Sequence, residues 1–312
     1  MSEKIPLLVL SNLSTEHQTR LAAQYDLTYA PTAAEREAAI AAHGARFRAV
    51  LTIGVIGLTA AEMDRMPALE LVCCMGAGYE MVDLEAARAR GIALANGQGT
   101  NDDCVADHAF GLVISAVRGF RTLDRLCREG VWRLDIPQPP NVSGKRLGIL
   151  GMGTIGQKIA KRAGGFDMEI GYHNRSAKAG SPHRYFDNLK ALAEWSDILV
   201  CAAPGGAATK HIVNAEVLAA LGPHGFLVNI GRGSVVDTDA LANALRSGRI
   251  AGAGLDVYES EPKRPEQLVD IDNLVITPHL AGWSPEATEA SFRRFLANAE
   301  GHFSGGGVVT PI

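Results

Sequence analysis

Short apolar runs and amphipathic stretches alternate along the first hundred residues of the chain. The stretches predict helices at 15–24 and 33–43, and a third helix that Asp83 caps and that ends at Gly91. The apolar runs predict strands at 5–10, 27–30, 50–53, 69–74 and 92–96. Strands that alternate with helices in this way indicate a parallel sheet with helices on both faces.

The alternation resumes after a long apolar helix at about 103–128 and a proline-rich loop at 136–144. The second series predicts six strands, at 148–150, 168–173, 198–202, 225–229, 252–256 and 274–277. A last helix takes Ser284 as its N-cap and Pro285 as its first residue, and it runs to Glu300. Because six strands already complete a doubly wound sheet, we expect this helix to return to the first domain.

Length and charge restrict the class of protein. A chain of 312 residues suits two domains with full cores, and its net charge of −4 gives no reason to expect a nucleic acid or a membrane as a partner. The longest apolar stretch, 104–117, contains Asp107 and His108 and is too short for a membrane span. The N-terminus turns polar too soon for a signal peptide, and the five cysteines show no C-x-x-C spacing. We therefore expect a cytoplasmic protein with reduced thiols and no metal ion.

The segment LGILGMGTIG at 147–156 connects a predicted strand to a predicted helix. Gly151, Gly153 and Gly156 form a G-x-G-x-x-G motif within it. The first glycine permits a tight turn, the second leaves space for a pyrophosphate, and the third lets the helix pack closely on the strand. The free N–H groups of the helix N-terminus then point at the phosphates. With a strand before it and a helix after it, the motif predicts a dinucleotide-binding site.

The end of the following strand bears on the choice of cofactor. NAD enzymes usually carry an acid there that binds the ribose 2′-hydroxyl, whereas this strand runs into His173-Asn174-Arg175-Ser176. Arg175 can pair with a 2′-phosphate, and Asn174 and Ser176 can hydrogen-bond it. The alternative is that Arg175 is a solvated loop residue. The sequence favours NADP(H) as the cofactor, with NAD(H) as the other candidate.

Polar residues follow three late strands of the second series. They are Arg232, Asp256 with Glu261, and His279. His279 can donate a proton, and Glu261 can bond its other ring nitrogen and raise its pKa. Arg232 can hold the carboxylate and carbonyl oxygens of a 2-oxo acid with two donors. Each residue alone could be an ordinary loop residue, but together at successive strand ends they predict the reduction of a carbonyl group.

The order of G-x-G-x-x-G, NIGRG, GLDVYESEP and TPH resembles the D-isomer-specific 2-hydroxyacid dehydrogenase family over the whole chain. The resemblance implies an α/β fold of two doubly wound parallel-sheet domains. A Rossmann cofactor domain at 100–284 is inserted into a flavodoxin-like substrate domain formed by 1–99 and 285–312. It also implies that Arg232 orients the substrate and that Glu261 is the partner of His279, the acid/base residue.

The same resemblance implies further contacts. The helix that begins near residue 103 would lie in the interface of a homodimer. The backbone amides of Gly76, Ala77 and Gly78, in the loop 74–83, would bind the substrate carboxylate. The cofactor contacts would be Thr154 and Ile155 at the pyrophosphate, Ala203 and Pro204 beside the adenosine, Thr209, Ile230 near the nicotinamide and Asp256 on its carboxamide.

Two segments depart from the family pattern. The first is 201–211, with the sequence CAAPGGAATKH, which lacks the PLTPET-like motif that is commoner in the family. Trp283 stands where many members carry a small residue, and it either lines the substrate pocket or acts as a hydrophobic staple before Ser284.

Within the family, the HNRS sequence is similar to that of glyoxylate/hydroxypyruvate reductases that use NADPH. We therefore expect a homodimeric reductase of glyoxylate, hydroxypyruvate or a close relative that yields the D-2-hydroxy acid. One alternative is a reductase of bulkier aryl or sugar-derived 2-oxo acids. Another is a nucleotide-sensing corepressor or scaffold on the same fold.

Overall fold

The computed structural model describes residues 4–312, and these residues form two compact units. The first unit comprises the chain up to Asn101 together with Trp283–Ile312, and the second comprises Asp102–Gly282. The second unit is therefore an insertion into the first. The boundaries expected from the sequence, after residues 99 and 284, each differ from these by two residues.

The first unit opens with alternating strands and helices. In chain order they are β1 (Ile5–Val9), α1 (Thr15–Gln24), β2 (Tyr25–Tyr29), α2 (Ala33–His43), β3 (Ala49–Ile53), α3 (Ala60–Asp64), β4 (Leu71–Met75), α4 (Leu84–Ala89) and β5 (Ala93–Asn96). Asp83 caps α4 as predicted, since its side chain accepts a hydrogen bond from the amide of Ala86. Among the described residues of the first unit, α3 is the one α-helix that was not predicted, because its five residues are too few to show a helical period.

The second unit contains the elements α5 (Asp102–Arg118), α6 (Phe120–Arg128), β6 (Arg146–Leu150), α7 (Thr154–Ala163), β7 (Glu169–His173), β8 (Arg184–Phe186), α8 (Leu189–Trp195), β9 (Ile198–Cys201), α9 (Ala215–Leu221), β10 (Phe226–Asn229), α10 (Thr238–Arg246), β11 (Gly252–Leu255) and β12 (Leu274–Ile276). The chain then returns to the first unit with α11 (Pro285–Phe303).

All strand pairs in both sheets are parallel, as the alternation predicts. The first sheet has the order β2-β1-β3-β4-β5, which is the flavodoxin-like arrangement. The second has the order β12-β11-β10-β9-β6-β7-β8. Strands β7 and β8 are added on one side of β6, and β9 to β12 on the other, so the strand order reverses between β6 and β9. The carboxyl ends of these two strands therefore flank the position where nucleotides bind in such sheets. The prediction of two doubly wound domains is confirmed.

Strand β8 extends the second sheet by one strand beyond the six predicted. It pairs with β7 at the sheet edge through Arg184, Tyr185 and Phe186. A segment of three residues is too short to display the alternation of a strand, so the sequence alone did not reveal it.

The long helix predicted at 103–128 is two helices, and that prediction was wrong. Gly119 lies between α5 and α6 with a φ of +66°, a left-handed conformation that cannot continue a right-handed helix. Helix α5 buries residues such as Ala109, Val113 and Val117 in the core, whereas α6 has no buried residue. In the described part of the chain, no helix is both long and apolar enough to cross a membrane.

Helix α11 completes the first unit, as expected. Ser284 Oγ accepts a hydrogen bond from the amide of Ala287 at 3.1 Å, and Pro285 occupies the first turn. Phe292 and Phe295 are buried in the same core as residues of β1 and β4. The helix ends three residues later than predicted, at Phe303.

Candidate active site

The glycine-rich turn lies between β6 and α7 in the second unit. Gly151 has a φ of +100°, and a Cβ on Gly156 would lie 2.2 Å from the carbonyl oxygen of Gly151. A Cβ on Gly153 would meet nothing within 4 Å, and Gly153 is the N-cap of α7 without a side-chain hydrogen bond. Thr154 and Ile155 form the first turn of this helix. Open space before an uncapped helix N-terminus fits a pyrophosphate.

The tip of β7 borders this turn. Asn174 Oδ1 accepts a hydrogen bond from the Met152 amide at 2.8 Å, so Asn174 braces the glycine-rich turn in addition to its predicted cofactor contact. Arg175 and Ser176 follow it on the surface. Lys178, which is not among the residues predicted from the sequence, places its Nζ atom 3.5 Å from the Met152 carbonyl oxygen. The two cations within NRSAK were the signal that could have revealed it, and together they favour an anionic group here.

Arg232 lies in the loop that follows β10. Its Nη1 atom donates to the Gly231 carbonyl at 2.8 Å. Asn229, fully buried, supports this loop, because its amide nitrogen donates to the Arg232 carbonyl and its amide oxygen accepts from the Gly231 amide. A Cβ on Gly205 would contact the stem of Arg232 at 3.0 Å, so the segment that departs from the family wording lies beside this arginine.

His279 and Glu261 form the pair that the sequence predicts. Glu261 Oε2 lies 2.7 Å from His279 Nδ1, and Glu261 Oε1 accepts from the Tyr258 amide at 2.6 Å. The hydrogen bond from His279 to Glu261 raises the pKa of His279, although burial and the charge of Arg232 oppose it. This contact fixes the proton on Nδ1 and leaves Nε2 for a substrate.

A buried carboxylate holds the loop that carries His279. Asp256 is 1% exposed, and its oxygens accept hydrogen bonds from Thr277 Oγ1 and the amides of Leu280 and Ala281 at 2.5–2.8 Å. Burial alone raises the pKa of Asp256, but these bonds and one from His108 lower it. The loop thereby holds His279 at a φ of +56°. No local sequence pattern reveals this bracing role, and the contact of Asp256 with a nicotinamide carboxamide stays a prediction.

The predicted carboxylate-binding loop lies in the first unit, after β4. The carbonyl of Gly76 accepts from the Gly97 amide at 2.7 Å, and the carbonyl of Ala77 accepts from Asn96 Nδ2 at 2.8 Å. In a trans peptide the N–H points opposite to the carbonyl, so the amides of Ala77 and Gly78 face away from these partners. The loop can therefore present amides to an anion, and its role as a carboxylate site stays a prediction.

The other predicted cofactor contacts lie near the ends of β9 and β10. Ala203 and Ile230 are buried, and Pro204 is exposed. The Thr209 hydroxyl donates to the Pro204 carbonyl at 2.8 Å, so it stabilises its own loop. Trp283, in the first unit, is 74% exposed, which argues against the hydrophobic staple and leaves its substrate contact as a prediction.

A dinucleotide-binding sheet with a histidine–carboxylate pair and an arginine at its strand ends defines a class of protein, the nicotinamide-dependent oxidoreductases. The family model "D-isomer specific 2-hydroxyacid dehydrogenase, NAD binding domain" matches residues 110–281. The chain belongs to the D-isomer-specific 2-hydroxyacid dehydrogenase family, as its motifs predict.

Full-length relatives support the same assignment. The chain is 38% identical to hydroxyphenylpyruvate reductase of Plectranthus scutellarioides over 311 residues, 99% of each chain. A 2-hydroxyacid dehydrogenase from Ketogulonicigenium vulgare Y25 has a similar structure, with a TM-score of 0.92, 35% identity and coverage of 99% of this chain and 98% of that one. The NADPH-dependent glyoxylate/hydroxypyruvate reductase of Sinorhizobium meliloti, solved with NADP and malonate, gives a TM-score of 0.87 at 34% identity, covering 99% and 97%.

Proposed function

We propose that the protein is an NADPH-dependent reductase of small 2-oxo acids, of the glyoxylate and hydroxypyruvate type. The product is the D-2-hydroxy acid where it is chiral. The observation that carries the proposal is the 2.7 Å contact between His279 and Glu261 at the strand ends of a sheet that also bears Arg232. An imidazole with a raised pKa, beside a planar cation, suits the reduction of an anionic carbonyl compound.

Each residue has a defined part in this reaction. The nicotinamide cofactor, when bound, supplies a hydride to the carbonyl carbon. Arg232 holds the carboxylate and carbonyl oxygens of the 2-oxo acid, and His279 donates its Nε2 proton to the carbonyl oxygen as that oxygen becomes a hydroxyl group. Glu261 keeps the ring oriented and favours its charged form before the transfer. The amides of the loop 76–78 bind the substrate carboxylate.

The preference for NADPH rests on the tip of β7. Arg175, Ser176 and Lys178 offer two cations and a hydroxyl group, and no acid stands between residues 174 and 178. The similar enzyme of Sinorhizobium meliloti is named NADPH-dependent. A charge-assisted hydrogen bond contributes about 1.5–3 kcal/mol, so a preference for NADPH of about tenfold or more is expected.

The test measures both cofactors side by side. Wild-type enzyme and Arg175→Ala are assayed with glyoxylate and hydroxypyruvate, and Arg249→Ala, another exposed arginine of the same unit, is the control. Arg175→Ala should raise the KM for NADPH about tenfold and leave the NADH kinetics almost unchanged. Equal or better use of NADH by the wild type would refute the cofactor assignment without affecting the Arg232–Glu261–His279 chemistry.

A bulkier aryl substrate is the second candidate. The identity with a hydroxyphenylpyruvate reductase over 99% of the chain favours it. So does the exposure of three apolar side chains, Val55, Tyr79 and Met81, on loops of the first unit near the predicted carboxylate loop. Comparison of kcat/KM on hydroxyphenylpyruvate and on hydroxypyruvate decides between the two. Turnover of any 2-oxo acid also separates an enzyme from a nucleotide-sensing corepressor.

We also propose that the protein acts in the cytoplasm as a homodimer joined through the second unit. Helix α6 and the segment after it carry Phe120, Trp132 and Leu134, which are all exposed apolar side chains. Exposed apolar side chains of this size favour a protein interface over contact with water.

A further inference from the structure

Another histidine–carboxylate pair lies in the second unit, apart from His279 and Glu261. His211 Nε2 lies 2.6 Å from Glu259 Oε1, across 48 residues of sequence. The two side chains are 38% and 31% exposed. His211 ends the segment 201–211, which departs from the family wording, and Glu259 stands two residues before Glu261. The pair therefore connects two loops of the candidate site.

With its second oxygen, Glu259 binds the residue that directly follows the Arg232 loop. Its Oε2 atom accepts from the Thr238 amide at 3.1 Å and from the Thr238 hydroxyl at 2.6 Å. Thr238 is the first residue of α10 and directly follows the Arg232 loop. Burial alone raises the pKa of Glu259, but the hydrogen bonds from His211 and Thr238 lower it. The ionised carboxylate thus accepts on both of its oxygens.

His211 reaches the same loop through its backbone. Its amide donates to the Ser234 carbonyl at 2.8 Å, and the Val213 amide donates to the Val235 carbonyl at 3.1 Å. His211 has a φ of +50°, a conformation that residues other than glycine rarely adopt. The main-chain bond and the bond to Glu259 hold it there from two sides.

The Arg232 loop and the loop that carries Glu261 also meet through their main chains. A Cβ on Gly233 would lie 2.2 Å from the carbonyl carbon of Tyr258 and 2.6 Å from the Glu259 amide nitrogen. The Tyr258 amide donates to Glu261. A movement of the Arg232 loop would therefore displace the backbone that holds the Glu261 side chain.

We propose that His211 and Glu259 are a positioning pair that fixes Arg232 and Glu261 in a single arrangement for the 2-oxo acid. The inference rests on the proposed function and names residues outside the Arg232–Glu261–His279 set. Both side chains act indirectly: His211 binds the Arg232 loop through its main chain, and Glu259 belongs to the loop that carries Glu261. A misplacement of about 1 Å in such groups costs about 10²-fold in rate, so the effect is measurable.

The experiment uses two substitutions of His211 and one control. His211→Asn tolerates the positive φ but is too short to reach Glu259, whereas His211→Gln brings an amide nitrogen close to the position of Nε2. The control is Lys190→Gln, which breaks the Lys190–Glu216 ion pair of 2.7 Å between α8 and α9. Each variant is measured for KM and kcat with hydroxypyruvate, KM for NADPH, melting temperature, and amide hydrogen exchange in segments 231–238 and 258–261.

His211→Asn should lower kcat/KM for the 2-oxo acid about ten- to hundredfold, with the KM for NADPH and the melting temperature unchanged. Exchange should rise in the two segments, and His211→Gln should restore at least half of the lost activity. The inference is overturned if His211→Asn behaves like Lys190→Gln. It is also overturned if the loss of kcat/KM comes with comparably weaker NADPH binding and a lower melting temperature. If the wild type reduces no 2-oxo acid, the proposed function fails, and unchanged exchange in His211→Asn then overturns the positioning role separately.

Discussion

In the proposed reaction a single imidazole carries the proton transfer, and its neighbours set its charge. The hydrogen bond to Glu261 raises the pKa of His279, the burial of the ring and the charge of Arg232 lower it, and Asp256 raises it, with a net upward shift. A raised pKa keeps the ring protonated to higher pH, so reduction should continue at a pH where an ordinary histidine has lost its proton. Activity should then fall as the pH rises through the pKa of His279.

Replacing Glu261 by Gln tests this sign. The neutral amide removes the main cause of the raised pKa, so the fall in kcat/KM for reduction should move to lower pH. General acid catalysis usually contributes about 10²–10⁴-fold, so partial loss of the protonated imidazole should lower kcat/KM about tenfold or more on the alkaline side. The pH profile of kcat/KM is the measurement, and Glu266→Gln, at an exposed acid, is the control. A profile that does not move would mean that Glu261 does not set the charge of His279.

Arg232→Lys tests the geometry of the guanidinium. Lysine keeps the charge but cannot present two parallel donors, so kcat/KM for the 2-oxo acid should fall about 10–100-fold with a raised KM. Steady-state kinetics check this, with Arg249→Lys as a conservative control on the surface. Wild-type kinetics in the lysine variant would refute the two-donor grip.

At the scale of elements, the β6–α7 connection depends on close packing between a strand and a helix. Gly156→Ala would place a methyl group 2.2 Å from the Gly151 carbonyl oxygen, so the helix must move away from the turn. Overpacking of this kind costs about 1–3 kcal/mol, which corresponds to a fall of roughly 2–10 °C in melting temperature. Binding of NADPH should weaken about tenfold or more, because the helix N-terminus moves with it.

Calorimetry and cofactor titration measure both effects. Gly164→Ala is the matched control, since it lies just after the same helix and a Cβ there would meet nothing within 4 Å. If Gly156→Ala behaves like Gly164→Ala, the close contact does not restrict the turn.

At the scale of the whole molecule, the proposed dimer can be tested through the exposed apolar side chains of the second unit. Light scattering should give twice the mass of the chain for the wild type. Trp132→Glu combined with Leu134→Glu should give the mass of one chain, because two charges would have to be buried in an apolar interface. Val309→Glu, at an exposed apolar residue of the first unit, should keep the dimer. A double variant that remains dimeric would place the interface elsewhere.

The sequence alone determined the local elements and the residues that we propose for the chemistry. Helices α1 and α2 have the predicted bounds, and the glycine motif lies in the predicted turn. These predictions succeed because periodicity, capping and turn formation depend on residues a few positions apart. The pairing of Glu261 with His279 was predicted from polar residues at successive strand ends and from the family resemblance, and the tertiary structure supplied its 2.7 Å geometry.

The tertiary structure decided what depends on residues far apart in the chain. It broke the long helix at Gly119, added β8 at the sheet edge, and buried Asp256 beneath the His279 loop. It also joined His211 to Glu259 across 48 residues. No local pattern encodes such contacts, because they form only when the chain packs its strands side by side and brings the loops at their carboxyl ends together.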